Sequence, residues 1–193
     1  MSPLAPPSVD LSDFPVYPLT AEPPLYRVHR RGAAPWWFSR DGSGRFDLAE
    51  ESRGTCYVAA RRVGALIEVF RTGTLIPEVE VSSRFLATLH APAETSLADC
   101  TVGAARGYGV TGALHTQPDY ELTRAWADAF ARAGFGGIRY LLSHDPSQGE
   151  RGIALFGPAG AQELPVEVDG PIPRTVLDEA FRRFGLLVAP TPA

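Results

Sequence analysis

Three stretches of this 193-residue chain carry apolar residues at helical spacing, and short runs of strand-forming residues separate them. Over 61–71, Val63, Leu66, Ile67 and Phe70 follow the i, i+3, i+4, i+7 pattern and predict a helix with one apolar face. Over 120–133, Leu122, Trp126, Ala129, Phe130 and Ala133 form a second stripe, with Asp119 placed to cap its start and Gly134 its end. Val176, Leu177, Ala180, Phe181 and Phe184 predict a third helix over 173–184, ended by Gly185. Between them, LYRVH (25–29), TCYVAA (55–60), 138–142 and 152–156 have the composition of strands. Residues 73–118 carry weaker signals, with short elements of either kind at 79–89 and 97–102. Such a chain must pack helices against strands.

Seven prolines in residues 1–24 exclude a helix interior or a central strand there. An extended arm is expected, either laid across the domain or loose. The remaining length suits one well-buried domain, 25–188, followed by a short tail at 189–193. The N-terminus has neither a basic start nor an apolar core of the secretory kind, and no apolar run is long enough to span a membrane. The expected location is cytoplasmic.

Charge and residue usage narrow the chemistry. A net charge of −4 gives no broad attraction to nucleic acid or anionic lipid. All 18 basic residues are arginine. Without a lysine, neither a Schiff base nor a P-loop can be built. Cys56 and Cys100 are expected to be reduced and buried, and His29, His90, His115 and His144 have no metal-ligand spacing, so no metal is expected. Arg27, Arg30, Arg31, Arg40 and Arg45 lie close in sequence, as a solvated face or as a pocket in which guanidinium forks grip phosphate.

Two motifs promise more than they deliver. Gly107, Gly109 and Gly112 spell GxGxxG, but HTQP follows and no helix opens at the glycines. Ser143-His144-Asp145 spells a hydrolase triad, yet consecutive residues cannot hydrogen-bond in a line. Asp145-Pro146-Ser147 predicts a turn instead.

Arg27 in LYRVHR, Arg45-Phe46, Tyr57 in the second strand, Glu68 in RRVGALIEVF and Ser143 in GGIRYLLSHD occur in one order, with TRAWADAFARAG ahead of the serine. Together they resemble the RES domain, a family named for its Arg, Glu and Ser, over about residues 25–157. The resemblance implies an α/β (α+β) fold with an ADP-ribosyltransferase-like split mixed sheet flanked by helices. It implies a toxin that consumes NAD⁺ as substrate by cleaving the nicotinamide–ribose bond, as a glycohydrolase or a phosphorylase. The expected partner is a small helical antitoxin with a DNA-binding part, and homo-oligomers and toxin–antitoxin hetero-oligomers both stay open. A mono-ADP-ribosyltransferase acting on protein and a catalytically silent nucleotide- or partner-binding module are the alternatives.

By that resemblance Glu68, Arg27 and Ser143 are the catalytic candidates, and Arg45, Tyr57 and Tyr26 the dinucleotide-binding ones. Glu68 lies about 150° from the centre of its helix's apolar face at 3.6 residues per turn. Spacing alone makes it an ordinary exposed carboxylate. A catalytic role requires the off-core side of the helix to wall a cleft, with Arg27, Arg45, Tyr57 and Ser143 converging there.

Overall fold

The computed structural model describes residues 4–71 and 73–190, so the first three residues of the arm and the last three of the tail lie outside it. In chain order the elements are β1 (Val16–Leu19), β2 (Leu25–Arg30), β3 (Trp37–Phe38), β4 (Arg53–Ala59), α1 (Arg62–Val69), β5 (Leu75–Pro77), α2 (Glu78–Ser82), β6 (Arg84–Leu89) and β7 (Thr95–Asp99). A 3₁₀ turn at Gly103–Tyr108 follows. Then come α3 (Ala113–Thr116), α4 (Glu121–Arg132), β8 (Gly137–Leu141), β9 (Arg151–Pro158), β10 (Gly160–Ala161), β11 (Val166–Pro171), α5 (Arg174–Phe184) and β12 (Leu187–Ala189). The three helices expected from periodicity form within one or two residues of their expected bounds.

Eight strands make one mixed sheet in the order β1-β7-β8-β9-β4-β2-β6-β11, antiparallel except for β7 beside β8. The ladder between β4 and β9 runs over seven pairs, from Arg53↔Pro158 to Ala59↔Gly152. Between β4 and β2 only Tyr26↔Ala59 is in register. The split implied by the resemblance thus takes the form of a seam, where the two halves of the sheet diverge towards Arg30 and Arg53.

Both faces of the sheet are covered. On one, α1, α4 and α5 bury Val28, Val63, Leu66, Ile67, Phe70, Trp126, Phe130, Ile138 and Val176 in the larger core. On the other, Leu25, Trp36, Phe38, Cys56, Val58, Ala87 and Leu89 form the smaller one. Cys56 and Cys100 are free and buried.

The apolar face of α1 is buried as expected, and the other two stripes face the core except at Ala133 and Phe181. In α4 the buried positions are Thr123, Trp126, Ala127 and Phe130, and Ala133 is exposed beyond the helix end. In α5 Phe181 points outward, 55% exposed, while Val176 and Ala180 are buried and Leu177 and Phe184 pack against the core as expected. The N-cap is Tyr120 rather than Asp119, which lies one residue further out and accepts a hydrogen bond from Glu121 N; Gly134 takes the left-handed conformation expected of it.

The proline-rich arm is laid across the domain. Leu4, Leu11 and Phe14 are buried, and Phe14 packs edge-on against Tyr108, Phe130 and Phe135. Trp126 Nε1 donates to Ala5 O at 2.9 Å. Its strand β1 holds Pro18 and lies at the sheet edge, where a missing N–H leaves no central ladder broken. Among the described residues no helix is long and apolar enough to cross a membrane.

Candidate active site

Where β2 and β4 diverge, a cleft of about 530 Å³ opens. Period-2 alternation decides which side chains reach it. In β4, Cys56 faces the smaller core and Tyr57 the larger, on the α1 side. In β2, Leu25 faces the smaller core and Val28 the larger. Arg30 therefore lines the cleft, whereas Arg27 points through the opposite face.

Four of the five residues expected to converge do so: Arg45, Tyr57, Glu68 and Ser143 line this cleft. Arg27 does not. Its guanidinium donates to Pro35 O, and it pairs in register with Ala87 of the smaller core. Tyr26 shares the α1 side with Arg30 but sits at the far end of the strand, under the guanidinium of Arg62 at 5.4 Å. It does not line the cleft. Of the other arginines near them in sequence, Arg31 lies over Phe85 and Arg40 donates to Glu51 O.

The loop carrying Arg45 is pinned on all sides. Gly42 adopts positive φ, and Asp41 accepts from Ser43 N, closing a turn. Arg124 donates to Gly42 O and Gly44 O. Gly44 N donates to Asp47 Oδ2 at 2.9 Å, and Thr123 Oγ1 donates to Arg45 O at 2.6 Å. Tyr57 completes the arrangement: its hydroxyl donates to Asp47 Oδ1 and accepts from Phe46 N, both at 2.8 Å. A Cβ on residue 44 would collide with that Tyr57–Asp47 pair, so the position requires glycine. Arg45 itself donates to Gln117 O at 2.8 Å and lies 4.7 Å over the Tyr120 ring.

Glu68 projects from the off-core side of α1, and that side is a cleft wall. It is not the exposed carboxylate that spacing alone predicts. Burial pushes its pKa from 4.5 up to about 7, outweighing the pull of Arg71 and Arg45 in the opposite direction. Such a group is poised to exchange a proton near neutrality. Burial likewise raises the Tyr140 hydroxyl behind it well above its ordinary value, with the charge of Glu68 adding to the effect.

Arg71, Arg84, Asp47, Tyr120 and Tyr140 also line the cleft and were not legible as site residues. Arg71 offered a weak signal, three positions past Glu68 and so on the same side of the helix end. Arg84 arrives from β6, a strand remote in sequence, and its buried Nε has no hydrogen-bond partner among the described residues. Four guanidiniums thus face two carboxylates, an excess of positive charge inside a chain that is negative overall.

Ser143 follows β8 at the head of a loop organised by Asp145. Oδ1 of Asp145 accepts from Ser147 N and Oγ, and Oδ2 from Gly149 N and Glu150 N. Burial pushes the Asp145 pKa up, but these bonds together hold it below the ordinary value. The loop's far end is anchored by Glu150, fully buried, with Arg61 and Arg183 each at 2.6 Å. Both arginines come from the ends of helices that pack on the same face, so the serine loop, α1 and α5 are tied at one carboxylate.

Comparison with known proteins bears on the family and the fold. The family model of the RES domain matches residues 24–177. Among solved structures, the fold is similar to that in the crystal structure of the M. tuberculosis MbcT–MbcA toxin–antitoxin complex, with a TM-score of 0.66 and 15% identity. That match covers 84% of this chain and 90% of the other. No curated protein matches the sequence. With a mixed α/β fold shared at this level and four-fifths of its length matched by one family model, the chain belongs to the RES domain family.

Proposed function

We propose that this protein is a RES-type toxin that consumes NAD⁺ by breaking the bond between nicotinamide and ribose C1′. The observation that carries the reading is Glu68, a desolvated carboxylate beside Arg45, Arg71 and Ser143 in a cleft otherwise rich in guanidinium. The leaving nicotinamide takes the bonding electron pair and departs neutral, so no acid is needed to protonate it. The barrier is the oxocarbenium-like ribose, as in glycoside cleavage. A carboxylate held near that carbon without its full shell of water stabilises the developing cation. The same carboxylate, with a pKa near neutrality, can take the proton of an attacking water.

Arg45 and Arg30, with Arg71 and Arg84, suit the diphosphate. Tyr57 and Tyr120 offer aromatic walls, and Ser143 a hydrogen bond to the ribose or the amide. Arg27 is left out of this assignment, and its phosphate role passes to Arg30. A cognate antitoxin that restrains the activity is part of the proposal, supported by the likeness to a toxin solved with its antitoxin.

The test is incubation of purified protein with NAD⁺, with and without inorganic phosphate, and product analysis by chromatography. Nicotinamide with ADP-ribose marks a hydrolase; nicotinamide with the 1″-phosphate of ADP-ribose marks a phosphorylase. Intact NAD⁺ in both reactions refutes the proposal. In cells, expression should lower NAD⁺ before viability falls.

A further inference from the structure

A second cavity, of about 640 Å³, lies across Ser143 from the arginine cleft, and the serine lines both. The two differ in chemistry. Four guanidiniums face the cleft, whereas the cavity has one cation, Arg106, and one carboxylate, Asp145. That carboxylate is spent on its own loop, where it accepts four hydrogen bonds. His115, also on the wall, is buried and held neutral, its pKa pushed down to about 4 first by burial. Its Nδ1 accepts from Leu141 N, which leaves the proton on Nε2. Val102 and Val110 supply apolar surface. A concave, mostly apolar space with a few fixed polar groups binds an uncharged heterocycle better than a phosphate.

Resting on the reading that NAD⁺ is cleaved beside Glu68, we propose that this cavity receives the adenosine end of the dinucleotide. Cleavage at C1′ requires the nicotinamide ribose at Glu68, and Glu68 lines the cleft alone. The diphosphate, next along the molecule, then meets the guanidiniums. What remains is uncharged, planar and bulky, and the space that continues past Ser143 is neutral and much larger than nicotinamide alone needs. The short α3 does open at Gly112, against expectation, but no strand runs into the glycines, so segment 103–112 still fails as a Rossmann fingerprint and serves here as part of the cavity wall.

Gly103 permits a direct test. It lines the cavity, has no left-handed backbone, and a Cβ placed on it meets nothing within 4 Å. Gly103→Trp therefore adds an indole at the cavity wall without backbone strain, and Gly103→Ala is the control for the backbone change itself. The deciding readout is binding of adenosine monophosphate to wild type and both variants by calorimetry. Turnover of NAD⁺ against nicotinamide mononucleotide, which lacks the adenosine end, is the second. Gly103→Trp should weaken adenosine monophosphate and raise KM for NAD⁺ about tenfold or more, equivalent to about 1.4 kcal/mol. It should spare turnover of nicotinamide mononucleotide, and Gly103→Ala should weaken adenosine monophosphate far less than Gly103→Trp does. Adenosine monophosphate binding that is unchanged by the tryptophan overturns the proposal, as does a selective loss of nicotinamide binding. A wild-type protein that binds adenosine monophosphate in a tryptophan-sensitive way but leaves NAD⁺ intact supports the cavity and sinks the proposed reaction.

Discussion

Replacing Glu68 by Gln removes a charge from a place that resists it, and the size of the effect follows from the cleft. The carboxyl titrates at about 7 in the folded protein against an ordinary 4.5, because burial outweighs Arg71 and Arg45. A raised folded value means that the folded state holds the proton more tightly than the unfolded chain does. Stability from this group is therefore fully present below pH 4.5 and is lost as pH rises through about 7. At 1.36 kcal/mol per pKa unit the whole loss is about 3 kcal/mol. Gln has nearly the same shape and no charge to desolvate, so it escapes this cost.

Glu68→Gln should match wild type at pH 4 and exceed it by up to about 3 kcal/mol at pH 8, roughly 6–12 °C in Tm for a chain of this size. His115 titrates near 4 rather than 6.5, so it takes away stability as pH falls through that range, but equally in both proteins. The comparison cancels it. Turnover should move the other way, with kcat about 10²- to 10³-fold lower and NAD⁺ binding largely kept. Thermal melts at both pH values and single-substrate kinetics check the two halves. In wild type, kcat should rise with pH through an apparent pKa near 7, since the ionised form is the working one. A Gln variant no more stable than wild type at pH 8 refutes the argument, because the carboxylate is then solvated or satisfied by its arginines.

The two arginines that sequence grouped together should separate in kinetics. Arg45→Ala is expected to raise KM for NAD⁺ about tenfold or more, as for a lost charge-assisted phosphate contact, whereas Arg27→Ala should leave KM alone and lower Tm by depriving Pro35 O of its donor. Steady-state kinetics beside melting curves decides this. Gly44→Ala should cost about 1–3 kcal/mol by forcing apart Tyr57 and Asp47, and NAD⁺ binding measured by calorimetry should weaken with it. Glu150→Ala strands Arg61 and Arg183, for a loss of about 3–5 kcal/mol if the site is fully shielded and less because Arg61 is half exposed. A urea midpoint unchanged by that substitution shows that the anchor is screened by solvent.

The helices were legible because each buries one face, and a period of 3.6 records that directly in the residue types. Val63, Leu66, Ile67 and Phe70 name their own face of α1 with no help from the rest of the fold. β2 was legible through its alternation and β4, β8 and β9 through their strand-forming composition, whereas β11 left no such trace, and Pro18 confines its strand to an edge because proline cannot donate to a central ladder. Short and remote elements were not. Nothing near Arg84 or Tyr120 in sequence says that β6 and the start of α4 approach the end of α1, because those contacts depend on how the sheet is ordered. The site was legible as a set of residue types through resemblance to the RES family, but not as a geometry. Arg27 and Arg30 lie on one strand and differ in parity, so they face opposite sides of the sheet; only the position of α1 on one of those sides makes Arg30 the arginine of the cleft. Periodicity placed Glu68 off the apolar face of its helix, and there it meets a second wall from β4, β8 and the Arg45 loop rather than water. Sequence thus determined which faces seek burial within each element. The tertiary structure decided which polar residues those elements enclose, since enclosure is a property of several surfaces meeting and no single segment carries it.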